Sequence, residues 1–493
     1  MGNSPGDFRE YRNLVEKYDG LCGGFVWEWC DHAVYKGLSE TGKTMYFYGG
    51  DHGELQHDGN FCLDGLVYPD RRPHTGLYEY KNVHRPLRSV YNREKSALVI
   101  HNYLDFLDPA SFVTAEYCLS ADGKEINGGT IEIPSIPPHA EACVPLMLSA
   151  PDKGRCFLLI TYKVKKAVAG LPAGHVLGFD ELPIQNSCGI FQKSAELFPT
   201  DTDPASAPDI EQIGDEISVT GQGFVYHINL LSGLFTSMRH RRREFLSKPI
   251  DFNVWRAPTD NDRPIADLWK WERLDHTVTR CYDASWEIME EVAVIRLLQS
   301  VGAMSVPPVL RIDTEYHIRP DGTVRMNFRA VKDPQFKTLP RIGLRLFLDP
   351  RLDTAEYFGI GPYESYVDKC RGGRHGIFRS AIKDLHEDYI RPQENGSHCD
   401  CSYVRLTGNG LSFTAATLCD STFSFNASVY TQEELEAKRH NYELEPCGAT
   451  VLCLDHKMAG IGSKSCGPDL SPEYRVNADE YRFDFIIRPC SSV

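Results

Sequence analysis

Two hydrophobic rhythms divide the chain, and the break between them near residue 88 constrains its fold more than any other feature. Before the break, Phe8, Tyr11, Leu14, Val15 and Tyr18 recur at helical spacing on one face, with Ser4 as cap, Pro5 as first helical residue and Gly20 as stop. Gly23-Gly24-Phe25-Val26-Trp27-Glu28-Trp29 follows, a mostly apolar run without polar alternation. That is the pattern of a strand buried on both faces of a parallel sheet. After a polar loop, a second helix is expected from about Pro73 through Leu77, Tyr80 and Lys81 towards Pro86. Helix, strand, loop, helix is the grammar of a β/α barrel, but it supplies about two of the eight units.

Beyond residue 88 the period changes to two. Runs over 97–106, 112–119, 130–133, 142–148 and 156–164 are rich in Val, Ile, Tyr, Phe and Leu and are divided by Asp-Gly, Gly-Gly and Pro-Pro turns. They predict a β-sandwich of about 110 residues. The Asp-, Pro-, Ala- and Ser-rich stretch from Thr200 to Pro208 reads as a linker. After it, strand patterns continue to the C-terminus, with a hairpin expected at Arg319-Pro320-Asp321-Gly322-Thr323.

Charge narrows the partners. With 53 Lys and Arg against 68 Asp and Glu, a net charge of −15 argues against nucleic acid or an anionic membrane surface as the main partner. The first residues carry no basic segment followed by an apolar one, and no run approaches the ~20 apolar residues that span a bilayer, so a cytoplasmic protein is expected. The 16 cysteines form no Cys-x-x-Cys pair, which reads as reduced, mostly buried thiols. His398, Cys399 and Cys401 stand close together, but two cysteines one residue apart with a neighbouring histidine rarely make a four-ligand zinc site.

Phosphate-binding loops, His-Glu-x-x-His and Gly-x-Ser-x-Gly are absent from the sequence. What stands out is tryptophan beside carboxylates, as in Trp27-Glu28-Trp29-Cys30-Asp31 and Trp255-Arg256-Ala257-Pro258-Thr259-Asp260-Asn261-Asp262. Indole faces stack on the apolar side of a sugar ring while carboxylates and amides bond its hydroxyls, although the same tryptophans serve equally as core aromatics. Glu28, Asp31 and Glu54 read as solvated or structural carboxylates.

Together with Tyr48-Gly49-Gly50-Asp51, Asn60-Phe61-Cys62-Leu63-Asp64-Gly65-Leu66-Val67, Gly359-Ile360-Gly361-Pro362-Tyr363-Glu364-Ser365-Tyr366 and Pro392-Gln393-Glu394-Asn395-Gly396, these clusters resemble the bacterial β-galactosidases of glycoside hydrolase family 2. The resemblance runs over essentially the whole chain. It implies a mainly β architecture: the C-terminal end of a (β/α)8 barrel over 1–87, an immunoglobulin-like sandwich over 88–199 and a large β-supersandwich over 205–493.

The implied activity is retaining hydrolysis of terminal β-D-galactose residues, as in lactose. That reaction needs two carboxyl groups about 5 to 5.5 Å apart. The family's nucleophile lies in Glu-Tyr-x-His-Ala-Met-Gly-Asn-Ser, whose tail matches Met1-Gly2-Asn3-Ser4, so the nucleophile is expected five positions before Met1. Met1 is read as an internal methionine of a longer protein. No Asn-Glu dipeptide is present to carry the acid/base, and the chain alone is expected to be inactive.

Several substrate positions carry over from the resemblance. Trp27 matches the floor of the galactose pocket, Phe61 the residue whose carbonyl binds sodium, and Asp64 the residue touching that ion and the sugar 6-hydroxyl. Cys466, in Gly460-Ile461-Gly462-Ser463-Lys464-Ser465-Cys466-Gly467-Pro468, replaces an aglycone-stacking tryptophan. His57 falls where some relatives have a magnesium-site Asn. Sodium and magnesium are implied for the complete enzyme, with only part of the sodium site here. Expected partners are a β-galactoside, the missing N-terminal half or subunit, and further copies in a homo-oligomer. The alternatives are a non-catalytic complementing subunit and a sugar-binding or structural β-sandwich protein. The segment before residue 86 is expected to be cut first by protease, because its apolar strand lacks neighbours.

Overall fold

A computed structural model describes residues 2–168, 170–187, 197–198, 206–418, 421–463 and 466–491. The protein is mainly β. Its N-terminal portion carries helix α1 (Phe8–Lys17), a hairpin of β1 (Val34–Leu38) and β2 (Thr44–Phe47), and helix α2 (Thr75–Val83).

Seven strands follow: β3 (Leu87–Asn92), β4 (Ala97–Asn102), β5 (Val113–Ala121), β6 (Lys124–Glu132), β7 (Glu141–Pro145), β8 (Gly154–Val164) and β9 (Val176–Ser187). They form two antiparallel sheets, ordered β3-β4-β7 and β6-β5-β8-β9. Period-two patterning accounts for the core between them. In β8, Leu158, Ile160 and Tyr162 are fully buried together with Leu98 and Ile100 of β4 and Val113, Ala115 and Leu119 of β5. Each Val, Leu or Ile side chain among them contributes roughly 1.5–3 kcal/mol by leaving water.

From residue 209 a second core gathers strands into two five-stranded sheets and one nine-stranded sheet. The last strand, Glu480–Ser491, lies inside the largest sheet, between Val324–Lys332 and Leu411–Ala416. The expected hairpin joins Leu310–Ile318 to Val324–Lys332, and Gly322 supplies the positive φ of 76° that the turn requires. The expected linker at 200–208 falls mostly outside the described residues.

Three expectations are corrected. The run at 23–29 is not a doubly buried strand: Phe25 is 105% and Trp27 79% exposed. Hydrogen bonds from Glu28 N to Asp64 O and Asp31 N to Val67 O hold one edge, and among the described residues no strand covers the other. Helix α1 starts three residues late, with Asp7 at φ 60° preceding Phe8, and Tyr11, Leu14 and Tyr18 are exposed. The cysteines are not mostly buried. Among the described residues Cys156, Cys399, Cys401 and Cys453 are buried, while Cys22, Cys143, Cys447 and Cys466 are exposed.

The N-terminal portion is also anchored rather than loose. Buried Lys369 donates to Asn3 Oδ1 at 2.9 Å, Thr75 Oγ1 at 2.7 Å and Glu364 Oε1 at 2.7 Å, tying residues 3 and 75 to the large unit. Asn3 also donates from Nδ2 to Glu394 O at 2.8 Å, and Asn60 donates to Asp260 Oδ1 at 2.7 Å. The outer surface of this portion around Phe25, Trp29, Val34, Tyr35 and Leu38 is exposed, as are Tyr11, Leu14, Tyr18 and Leu55.

Candidate active-site cavity

A cavity of about 440 Å³ opens between α1, residues 23–27, the turn at 64–66, the start of α2 and the loop reaching Ser463, Cys466 and Gly467. Three sequence-predicted residues, Trp27, Asp64 and Cys466, line it. Phe61 does not; its backbone N–H donates to Asp58 O in a turn, and its side chain is 42% exposed.

The loop at 459–463 is placed by two charged groups. Arg256, fully buried and paired to both oxygens of Asp262 at 2.9 and 2.7 Å, donates to the carbonyls of Ala459 at 2.6 Å and Gly460 at 2.9 Å. Asp368 accepts the N–H groups of Ile461 at 2.9 Å and Gly462 at 2.6 Å, and burial pushes its carboxyl up to about 6. Asn261 then bridges Ser4 O at 3.1 Å and Ile461 O at 2.9 Å, joining the loop to the N-terminal segment. The backbones approach so closely that a Cβ on Gly6 would sit 2.7 Å from Gly462 N, and one on Gly462 would sit 2.8 Å from Gly6. Glycine is required there. Lys464 and Ser465 lie outside the described residues.

Asp64 is held by its own carbonyl, which accepts Glu28 N at 2.8 Å. Its neighbour Gly65 abuts the backbone of Cys30 and Asp31, where a Cβ would lie 2.4 and 2.2 Å away. The Asp64 carboxyl is 7% exposed and raised by burial, with Glu28 and Asp31 adding repulsion. Asp31 has a structural partner set: it accepts Gly65 N at 2.9 Å and pairs with His74 Nε2 at 2.9 Å. Glu54 likewise caps a turn, accepting Gly50 N and His52 N.

The decisive chemistry is unmet hydrogen bonding. Ser4 Oγ, Asp7 Oδ1, Asp64 Oδ1 and His74 Nδ1 are buried polar atoms of cavity-lining residues with no partner among the described residues. Such atoms cost roughly 1–3 kcal/mol each unless something satisfies them. Asp31 accepts from His74 Nε2, so the proton of a neutral ring stands there and Nδ1 is an acceptor. Three acceptors and a hydroxyl beside an exposed indole suit a ligand rich in O–H donors. Asp7 and His74 were not singled out from the sequence, because nothing local marks them, and Ser4 was read as a helix cap and motif tail rather than as a cavity residue; chain reversal brings all three to Asp64.

A larger depression of about 780 Å³ lies on the nine-stranded sheet, but its charges pair across strands, as in Arg296–Glu315 at 3.0 Å and Arg329–Asp313 at 3.1 Å. It has less capacity left for a ligand.

Family comparison agrees with this geometry. Residues 220–487, more than half of the chain, match the family described as beta galactosidase small chain; residues 1–89 match the glycosyl hydrolases family 2 TIM barrel domain and 98–185 match beta-galactosidase domain 4. The chain belongs to the β-galactosidases of glycoside hydrolase family 2. A β-galactosidase of Actinobacillus pleuropneumoniae is 40% identical over 489 residues, covering 99% of this chain and 47% of that protein. One from Staphylococcus xylosus is 35% identical over 498 residues, covering 99% and 48%. The chain therefore spans about half the length of these relatives. Among the described residues no helix is long and apolar enough to cross a membrane.

Several residues of the signature clusters have a common physical role. Arg256, Asn261 and Asp262 fix the 459–463 loop, while Glu364, Gln393 and Glu394 hold Asn3 or its clamp Lys369. These six residues position the cavity walls, and of them Asn261 alone also lines the cavity, beside Trp27 and Asp64 of the other clusters.

Proposed function

We propose that the chain is the C-terminal portion of a retaining β-galactosidase that hydrolyses terminal non-reducing β-D-galactose residues of lactose-type substrates in the cytoplasm. On this proposal residues 1–87 are the end of a (β/α)8 barrel, 88–199 an immunoglobulin-like sandwich and 205–493 a β-supersandwich. The observation that carries it is the cavity, in which Trp27, Asp64 and Cys466 meet buried acceptors that lack partners among the described residues. The Trp27 indole, 79% exposed, offers a face to the apolar side of galactose, and Asp64 and His74 Nδ1 accept its hydroxyls. Cys466 leaves little surface for stacking an aglycone.

Two carboxyl groups drive retaining hydrolysis, one as nucleophile and one as acid/base. On this proposal neither is carried by this chain; both belong to the polypeptide that makes up the other half of its relatives' length. The apolar surface at Phe25, Trp29, Val34, Tyr35 and Leu38 is where that polypeptide packs, whether in the same chain or as a complementing subunit. Assembly into homo-oligomers belongs to the complete enzyme.

For sodium the donor set fits: Asp64 has a buried carboxylate oxygen without a partner among the described residues, and a backbone carbonyl at Phe61 is the hard oxygen such an ion takes. Bound there, the ion supplies a positive centre that orients a sugar hydroxyl. Magnesium does not fit these residues. His57 Nδ1 accepts Gly59 N at 3.1 Å, and imidazole is a poor ligand for that cation. The test is kinetic: in the assembled enzyme Asp64→Ala should lower kcat/KM for lactose by roughly 10- to 100-fold, the cost of a hydrogen bond to a charged group. An unchanged kcat/KM would remove Asp64 from the site.

A further inference from the structure

A second cavity of about 440 Å³ lies where the three parts of the chain meet: α1 and the end of α2, the sandwich strands β3, β4 and β9, and the segment 370–375 of the large unit. Although the chain carries a net charge of −15, five arginines line this cavity, Arg9, Arg12, Arg85, Arg88 and Arg371, against three carboxylates, Glu141, Asp180 and Glu181.

Those carboxylates are spent on other groups. Asp180 accepts Ser89 N at 2.7 Å, Ser89 Oγ at 2.9 Å and Tyr162 OH at 2.7 Å besides Arg85 Nε at 3.0 Å. Glu181 accepts His375 N at 2.7 Å and meets its Nδ1 at 2.6 Å, and Glu141 faces His101 Nδ1 at 3.4 Å. Glu16, outside the lining, is shared by Arg12 at 2.5 Å and Arg88 at 2.9 Å. Glu79 acts on Arg371 but accepts Gly372 N at 2.6 Å. The guanidinium groups of Arg9 and Arg371 thus have no hydrogen bond or ion pair among the described residues, and Arg88 Nε is a buried donor without a partner there. The Tyr103 ring, 4.4 Å from the Arg88 guanidinium, holds that group in place.

Helical spacing brings Arg9, Arg12 and Asn13 to this cavity, while Phe8, Tyr11 and Val15 line the candidate active-site cavity. Helix α1 is therefore a common wall of the two.

We infer that the second cavity binds a phosphate group, free or carried by a small phosphate ester. Phosphate carries about −1.5 to −2 charges at pH 7, which matches the unpaired guanidinium charge. Guanidinium forks donate in pairs to its oxygens, and a tetrahedral anion has enough of them to accept from Arg9, Arg371 and Arg88 Nε together, where a carboxylate has two. The cavity exceeds what inorganic phosphate fills, and Asn13, His101 and Tyr103 offer polar and aromatic groups to the remainder of an ester. Because α1 is shared, filling this cavity braces the wall of the other.

The test is isothermal titration calorimetry of the full chain at constant ionic strength, with inorganic phosphate and galactose 6-phosphate as titrants. Saturable binding of about one equivalent is expected, and amide exchange in α1 should slow when phosphate is bound. Tighter binding of galactose 6-phosphate would identify an ester site, and equal affinity a site for free phosphate; both support the inference. Arg9→Gln and Arg371→Gln, at exposed positions whose guanidiniums the fold does not use, should each weaken binding about tenfold and together about a hundredfold. Arg280→Gln, on the strand Val278–Met289 away from the cavity, should leave binding unchanged. No saturable heat with either titrant, equal weakening by Arg280→Gln, or undiminished binding by the Arg9→Gln/Arg371→Gln chain would overturn the site. So would unchanged exchange in α1 of the phosphate-bound protein.

Discussion

Lys369→Met isolates the clamp that anchors the N-terminal portion. The wild-type ammonium is 2% exposed and contacts Asn3, Thr75, Glu364 and, at 3.3 Å, Tyr389. Burial pushes the Glu364 carboxyl up, but the Lys369 charge and bonds from Lys369, Tyr389 and Thr75 outweigh it and hold the group below the usual carboxylate range. Methionine matches the stem of lysine but leaves a buried carboxylate without its cation, which costs about 3–5 kcal/mol. At 1.4 kcal/mol per tenfold, hydrogen-exchange protection of the amides in α2 should fall by about two to four decades. The double variant Lys369→Met/Glu364→Gln should recover most of the loss, because the uncompensated charge is gone. A tenfold fall or less in the single variant, or equal and additive costs in the double, would refute the clamp.

Other outcomes follow from titration and exposure. Burial raises Glu79 to about 7 from 4.5, so its contribution to stability is full below pH 4.5 and is lost as pH rises through 7. Glu79→Gln, which can still accept Gly372 N, should stabilise the fold at pH 8 by up to roughly 3 kcal/mol and leave it unchanged at pH 4 in denaturant titrations. His375 links the sandwich to the large unit, its ring nitrogens 2.6 Å from Glu181 and 2.7 Å from Asp400. Burial opposes its charge, but these two carboxylates raise it overall, while Asp400 is lowered to about 2 against the pull of its own burial. The His375 contribution is complete below pH 6.5 and lost above its raised value; that of Asp400 is complete above pH 3.8 and lost as pH falls through about 2. Scattering and hydrogen exchange should therefore find the junction tightest between about pH 4 and 6.5, and His375→Gln should flatten the alkaline limb. Limited proteolysis of the isolated chain should cut near residues 18–29 and spare α2, and early cleavage within 75–83 would contradict the anchoring.

The fold was legible where side-chain period alone decides it. Strands β4, β5 and β8 lie within a few residues of their expected positions, because alternating Leu158, Ile160 and Tyr162 leave only one face to bury. The run at 23–29 misled because its composition suits a strand with two neighbours, whereas the structure gives it one edge partner. Composition reports what a segment is able to bury, not what stands beside it. In the cavity, Trp27 and Asp64 were recognisable through the clusters around them. Asp7 and His74 were not, since their unpartnered atoms meet only after α1 and α2 fold back towards the turn at Asp64. Lys369 was equally silent: a lone lysine in Asp368-Lys369-Cys370 gives no sign that it will be buried against Glu364.

Hydrolysis of a chromogenic β-galactoside tests the central claim most directly, with the purified chain assayed alone and then mixed with a polypeptide that supplies the Glu-Tyr-x-His-Ala and Asn-Glu sequences. The predicted result is no turnover alone and turnover on mixing, reduced by Asp64→Ala. Turnover by the chain alone, surviving removal of host enzyme and abolished by a substitution within these 493 residues, would contradict the account.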